Sequence, residues 1–196
     1  MDFLRPYQGW IETNDIIKSG ITQGSALEVG PGPGYLGLEW LTKTQNTTLN
    51  ALDISNDMLK IAERNANEYN LTDRVEYIEG MGDKMPFEDN LFDAVFTNGS
   101  LHEWHDPENT FNEICRVLKS NGKFFISDLR RDMNIFVKWF LLINTKPKEI
   151  RPGLITSIDA AYTPDELREL IKETKSLNCK VTENIIGVKI TGFKQM

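Results

Sequence analysis

The residues with the most evident chemistry lie between positions 26 and 53. Ala26-Leu27-Glu28-Val29 is an apolar run carrying one acid, and Gly30-Pro31-Gly32-Pro33-Gly34 follows it directly, with Gly37 beyond. Glycine permits backbone angles and close approaches that a side chain forbids. The stretch therefore predicts a short buried strand, a tight turn and a helix opening near Tyr35. Where a strand ends in such a turn, the unpaired N–H groups of the helix start converge on one place, and open α/β sheets hold ligands there. Asp53 follows at about the distance expected of a carboxylate that grips ribose hydroxyls.

Two nucleoside cofactors compete for this loop. Gly32, Gly34 and Gly37 match the G-x-G-x-x-G spacing of dinucleotide sites, which with Asp53 leaves a nicotinamide oxidoreductase open. Against it stand Pro31 and Pro33, which offer no N–H to a pyrophosphate, and Glu28, whose charge would repel one. A cationic, phosphate-free nucleoside fits better, and S-adenosyl-L-methionine answers that description with a sulfonium, an ammonium, a ribose and an adenine.

Glu28-x-Gly30-x-Gly32-x-Gly34 resembles the first motif of the class I S-adenosylmethionine-dependent methyltransferases. Leu52-Asp53-Ile54-Ser55 with Met58 resembles their second-strand motif. Met85-Pro86-Phe87 followed by Phe92-Asp93-Ala94-Val95 resembles the run into strand four, and Leu118-Lys119-Ser120-Asn121-Gly122-Lys123 the motif at strand five. The resemblance spans Ala26 to Asp128, about half of the chain. It implies a Rossmann-like three-layer α/β sandwich whose mostly parallel seven-stranded sheet has the order 3-2-1-4-5-7-6. It also implies a methyl acceptor as substrate and S-adenosyl-L-homocysteine as product.

On that resemblance, Asp53 accepts from the ribose hydroxyls, while Gly30, Gly32 and Gly34 let the cofactor approach the backbone. Glu28 either faces the methionine ammonium or caps the turn as a strand-end acid. Ile54 and Met58 pack on ribose and adenine, with ordinary helix core the alternative for Met58. Many members carry an acid for the adenine amine after strand three; here Gly80-Met81-Gly82 stands there, so Met81 replaces it. Met81 and Gly82 could still frame the ring, and Asp83 could reach the amine. Asn98 and Gly99, after strand four, are expected beside the methionine moiety.

Methyl transfer from a sulfonium is an in-line displacement on an activated carbon, so the protein mainly holds nucleophile, carbon and sulfur in line. A base matters only where the acceptor loses a proton. His102, as a general base, and Asp128, ending strand five, are the catalytic candidates, and His102 could also contact the acceptor; a structural role is the alternative for His102. His102, Glu103 and His105 fall in one short run, but nothing completes a metal-ligand set, and no metal is expected.

The elements that must position these residues follow from periodicity and caps. Ile11–Lys18 reads as a short helix, and Tyr35–Lys43 as a helix turning Leu36, Trp40 and Leu41 inward. Strands are predicted at Thr48–Asp53, Val75–Glu79, Phe92–Thr97 and Lys123–Asp128. A helix over Ser55–Glu68 lies between the first two of these. Asp106-Pro107 starts a helix that Asn121-Gly122 ends, and Thr163-Pro164-Asp165-Glu166 is a capping box opening another toward Lys175. Asn178–Ile185 and Val188–Phe193 close as a hairpin around Gly187.

The chain is expected to be one domain over 1–196, with an N-terminal segment at 1–24 and an insertion at 129–160 after strand five. Tyr7 and Trp10 line the site or pack on the domain surface. Met133–Asn144 is apolar almost all round, which calls for cover on more than one side. It reads as a lid carrying Phe136, Trp139 and Phe140 over an apolar acceptor, as a homodimer contact through 133–143, or as plain packing. Between Arg130 and Arg151, six basic residues face two acidic ones, either a site for an anionic acceptor or a solvated face.

The chain has 196 residues, a net charge of −7 and two cysteines, Cys115 falling in an apolar helical pattern. The charge argues against a broad grip on nucleic acid. The start of the chain lacks the order of a signal peptide, and no run approaches a membrane span. A cytoplasmic enzyme acting on a small molecule is the expectation. A non-catalytic binding module of the same fold remains the alternative and an NAD-dependent oxidoreductase the third.

Overall fold

The structure is a computed structural model, and it describes residues 12–172, 174 and 176–195. The strands are β1 (Gly24–Val29), β2 (Thr47–Asp53), β3 (Val75–Glu79), β4 (Phe92–Asn98), β5 (Leu118–Leu129), β6 (Leu177–Glu183) and β7 (Gly187–Lys194). They form one seven-stranded sheet in the order β3-β2-β1-β4-β5-β7-β6, as predicted. The first five run parallel, and β7 pairs antiparallel with both β5 and β6.

The central strand explains the layering. Ala26, Leu27, Glu28 and Val29 are all buried because β1 is covered on both faces, the pattern of an interior parallel strand. Toward one face pack α1 (Thr13–Lys18), α2 (Tyr35–Lys43) and α3 (Asn56–Glu68), with Ile16, Leu38, Trp40 and Ala66 in a cluster with Ala26 and Phe96. Toward the other pack α4 (Pro107–Val117) and α7 (Pro164–Lys172), with Phe111, Ile114 and Leu167 against Leu27, Val95 and Phe124. The chain moves outward from β1 to β3, then returns to β4 on the other side of β1. The connections therefore diverge between β1 and β4, which opens a cleft at the carboxyl ends of those strands.

Caps hold where the sequence put them. Asp106 accepts from the Asn109 N–H at 3.0 Å with Pro107 at the first helical position, and Ser55 accepts from Met58. The capping box at α7 is reciprocal: Glu166 N–H donates to Thr163 Oγ1 at 3.2 Å, and Thr163 N–H to Glu166 Oε2 at 2.8 Å.

Two expectations need correcting. α4 ends at Val117 rather than at Asn121-Gly122, because Leu118 already takes extended backbone and pairs with Phe92. Asn121, at φ 62°, and Gly122 then sit inside β5, where the register shifts between Phe92 and Ala94; the pair makes a bulge rather than a helix stop. The insertion also holds two helices, α5 (Ile135–Asn144) and an unexpected α6 (Arg151–Ala160) that Pro152 opens. They meet through Met133, Leu141 and Ile158. Only that seam of α5 is covered. Ile135, Phe136, Trp139 and Phe140 are between 61% and 77% exposed, so the cover expected all round this helix is missing among the described residues.

Because α7 holds the fully buried Leu167 in the core, its cap matters for stability. Thr163→Ala is expected to cost about 1 kcal/mol, read as a lower urea midpoint with unchanged slope. An unchanged midpoint would show that the cap adds nothing.

Candidate functional site

At the cleft, Gly30, Gly32 and Gly34 adopt φ of +66°, +52° and +81°, but they do different work. A Cβ on Gly30 would lie 2.6 Å from Ser100 Cβ, and one on Gly34 3.0 Å from Ala62 Cβ, so these two admit neighbouring elements. A Cβ on Gly32 would meet nothing within 4 Å. Gly32 therefore turns open backbone toward the cleft in a conformation that L side chains rarely adopt. Its N–H donates to Asp53 Oδ2 at 3.0 Å, while Ser55 N–H donates to Oδ1 at 2.9 Å. Each oxygen of Asp53 keeps a further lone pair for an incoming donor.

Glu28 is 2% exposed and lies beneath the first turn of α2. There the Gly37 N–H donates to its carboxylate, and Oε2 has no hydrogen-bond partner among the described residues. The N-cap, Gly34, offers no side chain, so the strand acid serves the helix start instead. Burial, with the charge of Asp53 adding to it against the Gly37 hydrogen bond, pushes the Glu28 carboxyl up to about 8. The Tyr77 hydroxyl, also raised by burial and by the nearby Glu28, is likewise buried without a partner.

Around Asp53, three large apolar side chains are left in solvent: Ile54 at 69%, Met58 at 42% and Met81 at 42%. Met81 is joined to this corner through Gly80, whose N–H donates to Asp53 O at 3.0 Å. Gly82 is packed against Thr110 and Val29. Asp83 is engaged elsewhere, its Oδ2 3.5 Å from His105 Nδ1.

On the other side, Asn98 ends β4 and its Oδ1 accepts from Ser127 Oγ at 2.7 Å. Gly99 takes φ +75° with nothing within 4 Å of a Cβ, so a second stretch of bare backbone faces open space. A 3-10 turn, Leu101–Glu103, follows and brings His102 against Asp128 on β5. Both carboxylate oxygens lie 3.0 Å from His102 Nδ1. The sequence offered each of these two residues separately; their contact depends on the β4–β5 pairing and was not legible.

Tyr7 and Trp10 lie outside the described residues. Phe136, Trp139 and Phe140 project into solvent from α5, which packs on α6 through Leu141 and Ile158. The basic run is mostly consumed internally: Arg130 pairs with Asp132, Arg131 with Glu166, Lys138 with Asp159, and Arg151 donates to the carbonyls of Thr145 and Ile143. Among the described residues no group of three or more His, Cys, Asp or Glu could hold a metal ion, and no helix is long and apolar enough to cross a membrane.

A sheet of this order with a glycine turn at its first crossover is the fold of the class I S-adenosylmethionine-dependent methyltransferases. A methyltransferase of that kind from Aquifex aeolicus superposes with a TM-score of 0.76, at 19% identity over 97% of this chain and 93% of that one. A proposed S-adenosyl-L-methionine-dependent methyltransferase from Methanococcus maripaludis gives 0.75 at 27% identity, over 97% and 86%. The chain belongs to the methyltransferase domain family, which residues 27–126 match. It is similar to the ubiquinone/menaquinone biosynthesis C-methyltransferase UbiE of Rickettsia rickettsii, 29% identical over 75% of this chain and 66% of that enzyme.

Glu28 makes the site's state depend on pH. Folded, it keeps its proton to about pH 8; unfolded, it loses it near its ordinary value of 4.5. Between those values the native state binds the extra proton, so stability falls as pH rises. Glu28→Gln should therefore raise the melting temperature by a margin that grows from about pH 5 to 8 and then levels. A margin independent of pH would contradict this account of Glu28.

Proposed function

We propose that this chain binds S-adenosyl-L-methionine across the carboxyl ends of β1, β2 and β4 and transfers its methyl group to a small-molecule acceptor. One observation supports it most: Gly32 and Gly99 present bare positive-φ backbone to open space on either side of the switch point, with the Asp53 carboxylate beside them. The residues present fit the cofactor. Asp53 would accept from both ribose hydroxyls through its spare lone pairs, and Ile54, Met58 and Met81 would cover the adenine, with the Gly82 backbone at its edge. The cofactor's amino-acid end would lie along Gly30, Gly32, Asn98 and Gly99, and Gly34 would keep the helix start close to it.

Glu28 would act through the loop it supports, holding α2 from beneath through the Gly37 N–H. The bound cofactor supplies a methyl group on a sulfonium, already activated toward a nucleophile. The protein's part is to exclude water and align the acceptor. On the acceptor side, α5 offers Phe136, Trp139 and Phe140, which suits an apolar molecule. The relation to a C-methyltransferase of ubiquinone and menaquinone biosynthesis supports the same choice. The insertion would then serve as the acceptor's cover within a single domain.

Calorimetric titration with S-adenosylhomocysteine is the direct check. Binding is expected in the wild type, and Asp53→Ala is expected to weaken it by about ten- to a hundredfold, the worth of one or two charge-assisted hydrogen bonds. No heat at high protein concentration would remove the reading, and unchanged affinity in the variant would remove the role of Asp53.

A further inference from the structure

We propose that the exposed face of α5 docks on an anionic lipid bilayer, so that the chain works at a membrane surface without crossing it. The docking stands on the insertion alone. Its consequence, that the acceptor is drawn from lipid, deepens the methyl-transfer reading above and rests on it.

α5 inverts the usual arrangement of a helix on a domain, in which the apolar side turns to the core. Val137 and Leu141 share a cluster with Leu154 and Ile158 of α6. Away from that seam, Ile135, Trp139 and Ile143 follow one another four residues apart, with Phe136 and Phe140 in a row beside them. Residues at that spacing share a helix face. Their exposures run from 44% for Ile143 to 77% for Phe136. The one charge on the helix, Lys138, is paired with Asp159 at 2.6 Å. A contiguous aromatic stripe of this kind marks a contact surface.

The charges around the stripe select the occupant. Residues 129–160 hold six basic and three acidic side chains, in a chain whose net charge is −7. Arg130, Arg131 and Lys138 are neutralised by Asp132, Glu166 and Asp159. The cations left over stand together where α5 ends. Lys146 and Lys148 are exposed and have no carboxylate partner among the described residues. Arg151 folds back onto that end, its guanidinium donating to Ile143 O at 2.7 Å and Thr145 O at 3.1 Å. Glu149 is the only acid between Thr145 and Arg151.

An apolar stripe flanked by unneutralised cations complements a bilayer, whose apolar interior lies beneath a negative headgroup layer. Trp139 is of the type that settles at that boundary. An isologous dimer would instead bring this patch against itself, cations included. α5 has ten residues, about 15 Å of helix against a hydrocarbon core of about 30 Å, so it can lie in the interface but not span it.

The face is also placed where such a contact would serve the site. α6 packs on α5 and against the 3-10 turn that follows β4, and only residues 130–134 join the end of β5 to α5. The helix therefore stands at the carboxyl ends of the strands, the same end of the sheet as Gly32, Asp53 and Gly99. An amphiphilic acceptor dissolved in the bilayer would reach the cleft without passing through water.

Flotation of the full chain with vesicles tests this, one set of phosphatidylcholine alone and one mixed with phosphatidylglycerol. Binding to the mixed vesicles is expected, weakening as salt is raised, with little binding to the neutral set. Lys146→Glu with Lys148→Glu should weaken it about tenfold or more, and Phe136→Ser with Phe140→Ser about a hundredfold. All four side chains are exposed, so both double variants are expected to keep the wild-type melting temperature, which separates lost docking from lost fold. Tryptophan emission should shift to the blue on the mixed vesicles, and Trp139→Phe should remove the larger part of that shift.

No flotation with the mixed vesicles would overturn the proposal, as would flotation that both double variants leave unchanged. Equal flotation with both sets would overturn the anionic surface. A dimer in light scattering that the serine variant dissociates, without vesicle binding, would assign the face to a second copy instead. Titration with S-adenosylhomocysteine in vesicle-free buffer reads the cofactor site by itself, so its failure removes the methyl-transfer reading and leaves the docking result standing.

Discussion

The hydrogen bond from the Gly32 amide to Asp53 joins the ends of two parallel strands at the point where the rest of the molecule turns outward. β1 and β2 are held in register along their length, but beyond their last residues the backbone has no ladder to follow. Gly30 continues it by one bond, its N–H donating to Leu52 O at 2.8 Å, and Asp53 then reaches across to Gly32. The result is a turn fixed at both shoulders and bare at its crest. Everything proposed about a bound nucleoside depends on that bare crest.

The electrostatics of the cleft follow from which groups are buried there. Asp53 is partly open and supplied with two backbone donors, whereas Glu28 is sealed under α2, where burial pushes its carboxyl up to about 8. Asp53 is therefore the acid left partly open at the strand ends, and Glu28 the one enclosed beneath the helix. With the prolines at 31 and 33 removing two N–H groups from the turn, the site is poorly suited to a diphosphate. The chain's family membership and this local chemistry point the same way by independent routes.

Local signals carried most of the fold. The helix at Tyr35–Lys43 and the strand at Val75–Glu79 have the predicted limits because a glycine turn or a short cap bounds each of them. The reciprocal Thr163–Glu166 bonds formed as the motif required. What failed was decided by partners distant in sequence. Asn121-Gly122 looked like a helix stop, but Phe92 claims Leu118 for the sheet first. α6 was missed because Leu154 and Ile158 make only a weak stripe, which packs with Leu141 of α5. In the site, residue types at strand ends were legible one at a time. The Glu28 carboxylate under Gly37, the open face of Gly32 and the His102–Asp128 contact were not, since each depends on which strand lies beside which.

The central claim is that the corner between Gly32, Asp53 and Gly99 holds a phosphate-free nucleoside. A crystal structure of the full chain grown with S-adenosylhomocysteine addresses it most directly. The account predicts the ribose hydroxyls within hydrogen-bond distance of Asp53, the adenine against Ile54, Met58 and Met81, and the sulfur toward Gly99 and His102. Density for the ligand elsewhere, with the glycine turn bare, would contradict it.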